Sequence, residues 1–315
     1  MIAKPFEKFS YTSLTISSLM LIGVSYHYTT LDIKWSFVES KIVNGILIFG
    51  ALMLTNHAID SITRQYSLER SNRNSYHLLL YPLIVISLPI ESIDLRFILS
   101  SSAIWSAWRN MRIFFTLSSN TKKIKRILDV SLLISCASLF ILENLFLVSI
   151  PILLLLTSNL QTDIKYFIVI IFTPIVFLSS VYVISAFFSY DVYLFNSYFF
   201  QDQLMLNSDF RLNFTPYYGS LSIVFIIYFF SVIVKLSRVV SMQRRILDLV
   251  GVFFFFLIVF FFSMSKDLSG SEFHYLSLIL VYFIAQIFAK KINSFYVNLI
   301  FMSIIVSIII FNFLV

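Results

Sequence analysis

An all-α fold, a polytopic transmembrane helical bundle of about 11 spans with its N-terminus inside and its C-terminus outside, is what three observations on this chain predict. Hydrophobic residues make up 59% of the 315 positions and charged residues 12%, whereas a soluble domain carries roughly 25% charged residues to cover itself against water. Apolar runs of roughly 17–25 residues recur along the chain, the length an α-helix needs to cross about 30 Å of hydrocarbon. Finally, 18 of the 23 lysines and arginines fall in alternate segments flanking those runs, two of them inside the inner part of a run, as they do when basic loops stay in the cytoplasm.

The spans fall at 11–27, 42–57, 75–89, 97–117, 128–142, 144–159, 166–188, 218–234, 247–264, 273–289 and 294–313. Their runs, 252–257 and 304–311 among them, do not alternate apolar with polar residues as barrel strands do. Lys4 and Lys8 precede the first run and no small-residue cleavage site follows it, so this run reads as a signal anchor. The fifth and sixth runs meet at Glu143 and Asn144 and fit either two short spans or one re-entrant hairpin over 128–159. Either choice leaves the sidedness downstream unchanged. Pro82, Pro151 and Pro174 lie within spans and predict kinks whose freed carbonyls find partners on neighbouring helices.

Counting from an inner N-terminus, the inner segments hold Lys4 and Lys8, then Arg64, Arg70 and Arg73, then Arg109, Arg112, Lys122, Lys123, Lys125 and Arg126. They continue with Lys165, with Lys235, Arg238, Arg244 and Arg245, and with Lys290 and Lys291. The outer segments hold only Lys34, Lys41, Arg96, Arg211 and Lys266. This places the whole chain, 1–315, in one integral membrane domain, with 189–217 as its longest outer loop.

Several function classes drop out. The net charge of +7 is accounted for by the inner loops, so no nucleic-acid partner is expected. Cys136 is the sole cysteine, and His27, His57 and His77 stand apart without an HExxH spacing, so no metal site is expected. Neither a Walker A loop nor GxGxxG is present, and no cofactor is expected. With 6 glycines against 36 phenylalanines, GxxxG crossings are not expected to dominate the packing.

Four groups of residues are candidates for chemistry. Arg109 and Arg112 lie inside an apolar run, roughly 12 Å and 8 Å from the inner end of their helix. They either snorkel to the interface as topology markers or face the bundle interior and bind a lipid phosphate, which suits the guanidinium fork. Asp129 is the nearest candidate ion-pair partner in sequence. In the 189–217 loop, aromatics stand beside Asp191, Asp202, Asp209 and Arg211. This segment reads either as a sugar-binding surface with Asp202 as a catalytic carboxylate or as an interfacial amphipathic helix. Residues 266–274, Lys-Asp-Leu-Ser-Gly-Ser-Glu-Phe-His, bring Glu272 and His274 to the mouth of a span as candidate acid and base, or are an ordinary polar turn. Glu91, Asp94 and Arg96 form a third outer turn with the same two readings.

Lys125-Arg-Ile-Leu-Asp129 and Arg244-Arg-Ile-Leu-Asp248 each open a span, an echo that fits parallel repeats or the bias of the composition. From Trp108-Arg-Asn-Met-Arg112, Lys122-Lys-Ile-Lys-Arg-Ile-Leu-Asp129, Ala137-Ser-Leu-Phe140 and Ser269-Gly-Ser-Glu272, the chain resembles a family of polytopic inner-membrane proteins of Bacteroidota, chiefly flavobacteria. That family carries no assigned function. The resemblance implies an inner-membrane location and supplies no catalytic residues. A looser likeness, to polysaccharide polymerases and polyprenyl-linked glycosyltransferases, rests on span number and one long outer loop. It points to handling of lipid-linked sugars in cell-envelope glycan assembly, with a polyprenyl-linked or other anionic lipid as partner. The first outer loop, around Asp32, departs from the glycosyltransferase pattern because it is short and lacks an acidic pair. A transporter or flippase of an anionic lipid or solute, and a non-catalytic membrane scaffold, are the alternatives.

Overall fold

A computed structural model describes residues 4–7, 9–36, 38–66, 74–88, 90, 92–157, 164–187, 270–278, 280–281, 295–299, 301–302 and 305–306. Asp202, the 189–217 loop, the spans at 218–234 and 247–264, and the second copy of the Arg-Ile-Leu-Asp echo lie outside the described residues. The described residues are mostly helical, with one small parallel strand pair that the all-α expectation did not contain. The chain divides into two units, Met1–Arg109 with Ser269–Val315, and Asn110–Leu268.

In the first unit a single 3-10 turn, Lys4–Phe6, leads into α1, Tyr11–Thr30. Ser10 and Ser13 form a reciprocal capping box, each backbone N–H donating to the other's hydroxyl at 3.2 Å. Two orphan donors of the first turn are thereby satisfied. The buried face of α1 is Ser13, Ser17, Leu21, Val24, Ser25 and Tyr28, whereas Tyr11, Leu19, Ile22 and Tyr26 are exposed. The helix is thus polar and small towards its neighbours and apolar outwards. Against that serine face lies α2, Lys41–Tyr66. Ser25 Oγ donates to the Gly45 carbonyl at 2.6 Å, and Asn56 Nδ2 donates to Ser17 Oγ at 3.1 Å. A Cβ on Gly45 would come within 3.1 Å of Thr29 Cγ2, a tight contact that would ask the Thr29 side chain to shift by a few tenths of an ångström. Small residues do bring these helices together, with serine in the role that the glycine count left unfilled.

The third helix, α3, is Tyr76–Ile86 and contains Pro82. Its entry is pinned by Ser75, whose N–H and hydroxyl both donate to the Phe6 carbonyl at 2.8 and 3.2 Å. The strands are β1, Asp32–Trp35, and β2, Ser92–Asp94; they pair in parallel, Asp32 opposite Ser92 and Ile33 opposite Ile93. Directly after β2 comes α4, Leu95–Thr116, which crosses from the first unit to the second at Arg109.

In the second unit α5, Asn120–Phe140, packs along α7, Ile164–Phe187. Phe114, Ile127, Leu155, Tyr166 and Ile170 form its core, and the rings of Phe114 and Tyr166 meet edge to face at 5.6 Å. At Ile141 α5 stops in extended backbone, and Asn144 Nδ2 satisfies the Ala137 carbonyl at 3.1 Å. The return arm over 142–157 is seven residues of 3-10 helix, Leu142–Val148, followed by α6, Ser149–Thr157, with Pro151 in the first turn of α6 where its missing N–H does no harm. Only Tyr166, Ile170 and Pro174 of α7 are buried, while Ile168, Phe172, Ile175, Val183 and Phe187 are exposed.

Among the described residues two helices are long and apolar enough to cross a membrane, Lys41–Thr63 and Ile164–Phe187, and two shorter apolar ones are Tyr76–Ile86 and Leu142–Leu153.

Candidate functional site

The end of the first unit at which α1 stops and α2 and α4 begin gathers three turns that lie far apart in sequence. Gly270 sits at φ 84°, a left-handed conformation that side chains with a Cβ disfavour, and this bend delivers the next turn onto β2. Ser92 bridges to Gly270 as a further parallel contact. Ser271 Oγ accepts from the Asp94 N–H at 3.0 Å and donates to the Ser92 carbonyl at 3.1 Å, so one hydroxyl clamps both sides of the strand end.

Asp94 is consumed by this architecture. Its Oδ1 accepts from the Arg96 N–H at 3.0 Å, capping α4, and its two oxygens take Arg96 Nε at 3.1 Å and Nη2 at 2.8 Å. The Arg96 guanidinium lies 5.3 Å from the Trp35 ring centroid, a cation–π contact that ties β1 to the start of α4. Asp94 is therefore a positioning residue for these turns.

Glu272 and His274, the candidate catalytic acid and base at the mouth of a span, are 1% and 2% exposed. Residues 271–273 form a 3-10 turn and His274 continues into a helix. The His274 ring meets Tyr28 edge-on at 5.7 Å, and its carbonyl accepts from Ser277 Oγ at 2.8 Å and, weakly, from Trp105 Nε1 at 3.5 Å. Tyr275 donates to Ser100 Oγ at 2.5 Å and Tyr28 donates to the Val85 carbonyl at 2.8 Å, so the histidine's neighbours are themselves fixed. The arrangement encloses a rigid imidazole and a carboxylate two residues apart, both away from water. It is a poor match to an acid–base pair waiting in open water.

The second unit carries the basic site. Arg112 is 3% exposed and sits one turn before the end of α4, so it faces protein in place of extending to water. Arg109, the last residue of the first unit, is half-buried. Tyr166 OH contacts Asn120 Oδ1 at 3.5 Å, which sets the starts of α5 and α7 at one end of the second unit. There Lys122, Lys125 and Lys165 are exposed and Lys123 lies 5.8 Å from the Phe114 ring. Asp129 is engaged by Arg126 on its own helix at 3.2 Å, and Arg126 also donates to Asn110 Oδ1 at 3.1 Å.

Sequence reasoning missed the joining of the 92–96 and 270–274 segments, the roles of Trp35 and Ser271, and a buried histidine–aspartate pair. In that pair His77 Nε2 lies 3.0 Å from Asp60 Oδ1, with both side chains under one-tenth exposed. The available signal was an aspartate inside an apolar run followed by a histidine inside the next. Among the described residues no group of three or more His, Cys, Asp or Glu is placed to hold a metal. Comparison with protein-family models, with curated proteins and with solved structures returns no match.

Proposed function

We propose that this chain is a multi-pass protein of a bacterial inner membrane, with about 11 spans, N-terminus inside and C-terminus outside, that handles an anionic lipid-linked sugar in envelope glycan assembly. One observation supports the alternation of the spans above all. The three segments that charge sorting assigns to the outer face, around 32–35, 92–96 and 270–272, meet in a single strand cluster. At the opposite end of α1, Phe6 and Ser75, from two segments assigned to the inner face, bond to each other. Charge sorting used no contact, so this agreement is independent of it. The exposed apolar faces of α1 and α7 point the same way: a soluble protein rarely leaves such faces bare, and hydrocarbon accommodates them.

In this reading Arg112, with the lysines at the starts of α5 and α7, binds the phosphate of the lipid from the inner leaflet. The membership in a Bacteroidota membrane family suggested by the sequence motifs belongs to the same proposal. A flippase or transporter of an anionic lipid is the second reading. The burial of Glu272 and His274 favours it, because a substrate arriving from the outer water does not reach enclosed groups.

The test is a deletion strain scored for accumulated lipid-linked intermediates. Rescue by the wild-type chain but not by Arg112→Ala, with Arg112→Lys intermediate, supports the phosphate role. Full rescue by Arg112→Ala refutes it. Movement of a polyprenyl-phosphate probe across proteoliposomes without chemical change would favour the flippase.

A further inference from the structure

In the second unit, α5 and α7 each carry an exposed stripe whose chemistry changes along the helix. On α5, Lys122, Lys125 and Leu128 are exposed and three residues apart, so they follow one another on one face. On α7, the exposed Lys165 is followed by exposed Ile168, Ile171 and Phe172. Both stripes pass from ammonium to hydrocarbon within about one turn, and both do so in the direction away from the helix start. We propose that Lys122, Lys125 and Lys165 bind the phosphates of anionic bilayer phospholipids, whose acyl chains lie along the apolar residues that follow each lysine stripe.

The register of the two helices puts these cations at one depth. Tyr166 OH meets Asn120 Oδ1 at 3.5 Å, and Ile127 shares a core with Ile170, so α5 and α7 run side by side in the same direction. With a rise of about 1.5 Å per residue in each, Lys122 and Lys125 stand within about a turn of the height of Ile168 and Ile171. Exposed cations and exposed apolar side chains therefore share one level of the unit. Water suits only the first and hydrocarbon only the second. The phosphate and ester layer of a bilayer suits both, because an ammonium there finds its counterion while the stem of the side chain stays among lipid.

The basic residues between them on α5 are turned to the protein. Lys123 lies 5.8 Å from the Phe114 ring centroid, and Arg126 donates to Asn110 Oδ1 and Asp129 Oδ2. Asp129, the next carboxylate along α5, is thereby taken by Arg126. The division is by helical face: one set of cations fixes α5 against its neighbours, and Lys122 and Lys125 are presented outwards.

Such a surface discriminates by net headgroup charge. A zwitterionic phospholipid brings its own ammonium, which the lysines repel, whereas phosphatidylglycerol offers a phosphate with no compensating cation. Each lysine near an anionic surface contributes about fivefold in association, less as salt screens it. This role rests on the membrane placement given above and refines the phosphate role of the same lysines: the exposed lysines take lipids of the bilayer itself, and the buried Arg112 is left for the substrate.

The experiment is native mass spectrometry of the full-length chain, delipidated in detergent and titrated with phosphatidylglycerol or phosphatidylcholine. The wild-type chain is expected to bind phosphatidylglycerol the more tightly. In Lys122→Gln/Lys125→Gln/Lys165→Gln that preference falls by roughly tenfold or more, and in Lys122→Arg/Lys125→Arg/Lys165→Arg it is kept. Lys34→Gln/Lys41→Gln, which removes two exposed lysines of the first unit, changes it by less than about twofold. An unchanged preference in the glutamine triple variant, or an equal loss in the Lys34 and Lys41 control, would overturn the proposal. So would polyprenyl phosphate displacing phosphatidylglycerol from these lysines when the two are mixed in equal amounts, since the site would then belong to a lipid-linked substrate. Binding in micelles depends neither on sidedness nor on a glycan role, so a failure of those readings leaves this result unchanged and shows instead in labelling of Lys122→Cys and in the deletion strain.

Discussion

Asp94→Ala is expected to be the most destabilising single change at the strand cluster, and its size follows from what the side chain accepts. Loss of the cap on the Arg96 N–H removes about 1 kcal/mol. Loss of the two-oxygen fork from Arg96 removes roughly 1.5–3 kcal/mol, because the carboxylate is buried and the bonds are charge-assisted. Together the change costs about 3 kcal/mol. Asp94→Asn keeps an acceptor for the cap and loses the charge, so it costs about half as much. Arg96→Ala removes the fork and the Trp35 contact and leaves the cap, so the double variant is less destabilised than the sum of the singles. The assay is reversible unfolding in mixed micelles, read by tryptophan fluorescence, since Trp35 reports the site directly. Equal costs for Asp94→Ala and Asp94→Asn, or strict additivity with Arg96→Ala, would refute the division of labour assigned to this carboxylate.

Other expectations follow from single contacts. Gly270→Ala puts a Cβ at φ 84° and is expected to cost about 1 kcal/mol in the same unfolding assay; a neutral result would mean that this turn relaxes. Ser271→Ala strips two hydrogen bonds from a fully buried hydroxyl and is expected to cost roughly 1–3 kcal/mol, whereas Ser271→Thr, which keeps the oxygen, costs less. Gly45→Leu is expected to push α1 and α2 apart at a cost of roughly 1–3 kcal/mol, and Thr29→Ser, which removes the methyl 3.1 Å away, to recover part of it. No recovery would place the strain elsewhere. Arg126→Ala is expected to change stability by less than about 1 kcal/mol, because its pairing with Asp129 is largely solvated.

Helix positions were legible in the sequence wherever an apolar run was long and bounded by polar turns. The expected 11–27, 97–117 and 166–188 correspond to Tyr11–Thr30, Leu95–Thr116 and Ile164–Phe187. The run at 42–57 is shorter than α2, which continues past it and carries Asp60 into the protein against His77. The return arm over 142–157 has the composition of a helix, yet Asn144 turns back to cap α5 and the chain winds as a 3-10 helix before α6, a local bonding choice that hydropathy does not register. The strand pair was invisible because four and three residues inside turns carry no periodicity. Its partners come from three places in the chain that only the fold brings together. Arg126 and Asp129 are three apart on one helix, so their pairing was legible in the spacing.

The sidedness of the chain supports every functional reading offered, and paired cysteine labelling tests it most directly. In a Cys136→Ser background, Glu39→Cys and Lys122→Cys each place one thiol on an exposed position in opposite loop sets. A membrane-impermeant maleimide applied to intact spheroplasts should label Glu39→Cys at once and Lys122→Cys only after permeabilisation. Labelling of both from the same side would contradict the topology and, with it, the assignment of the strand cluster to the outer face and of the basic site to the inner leaflet.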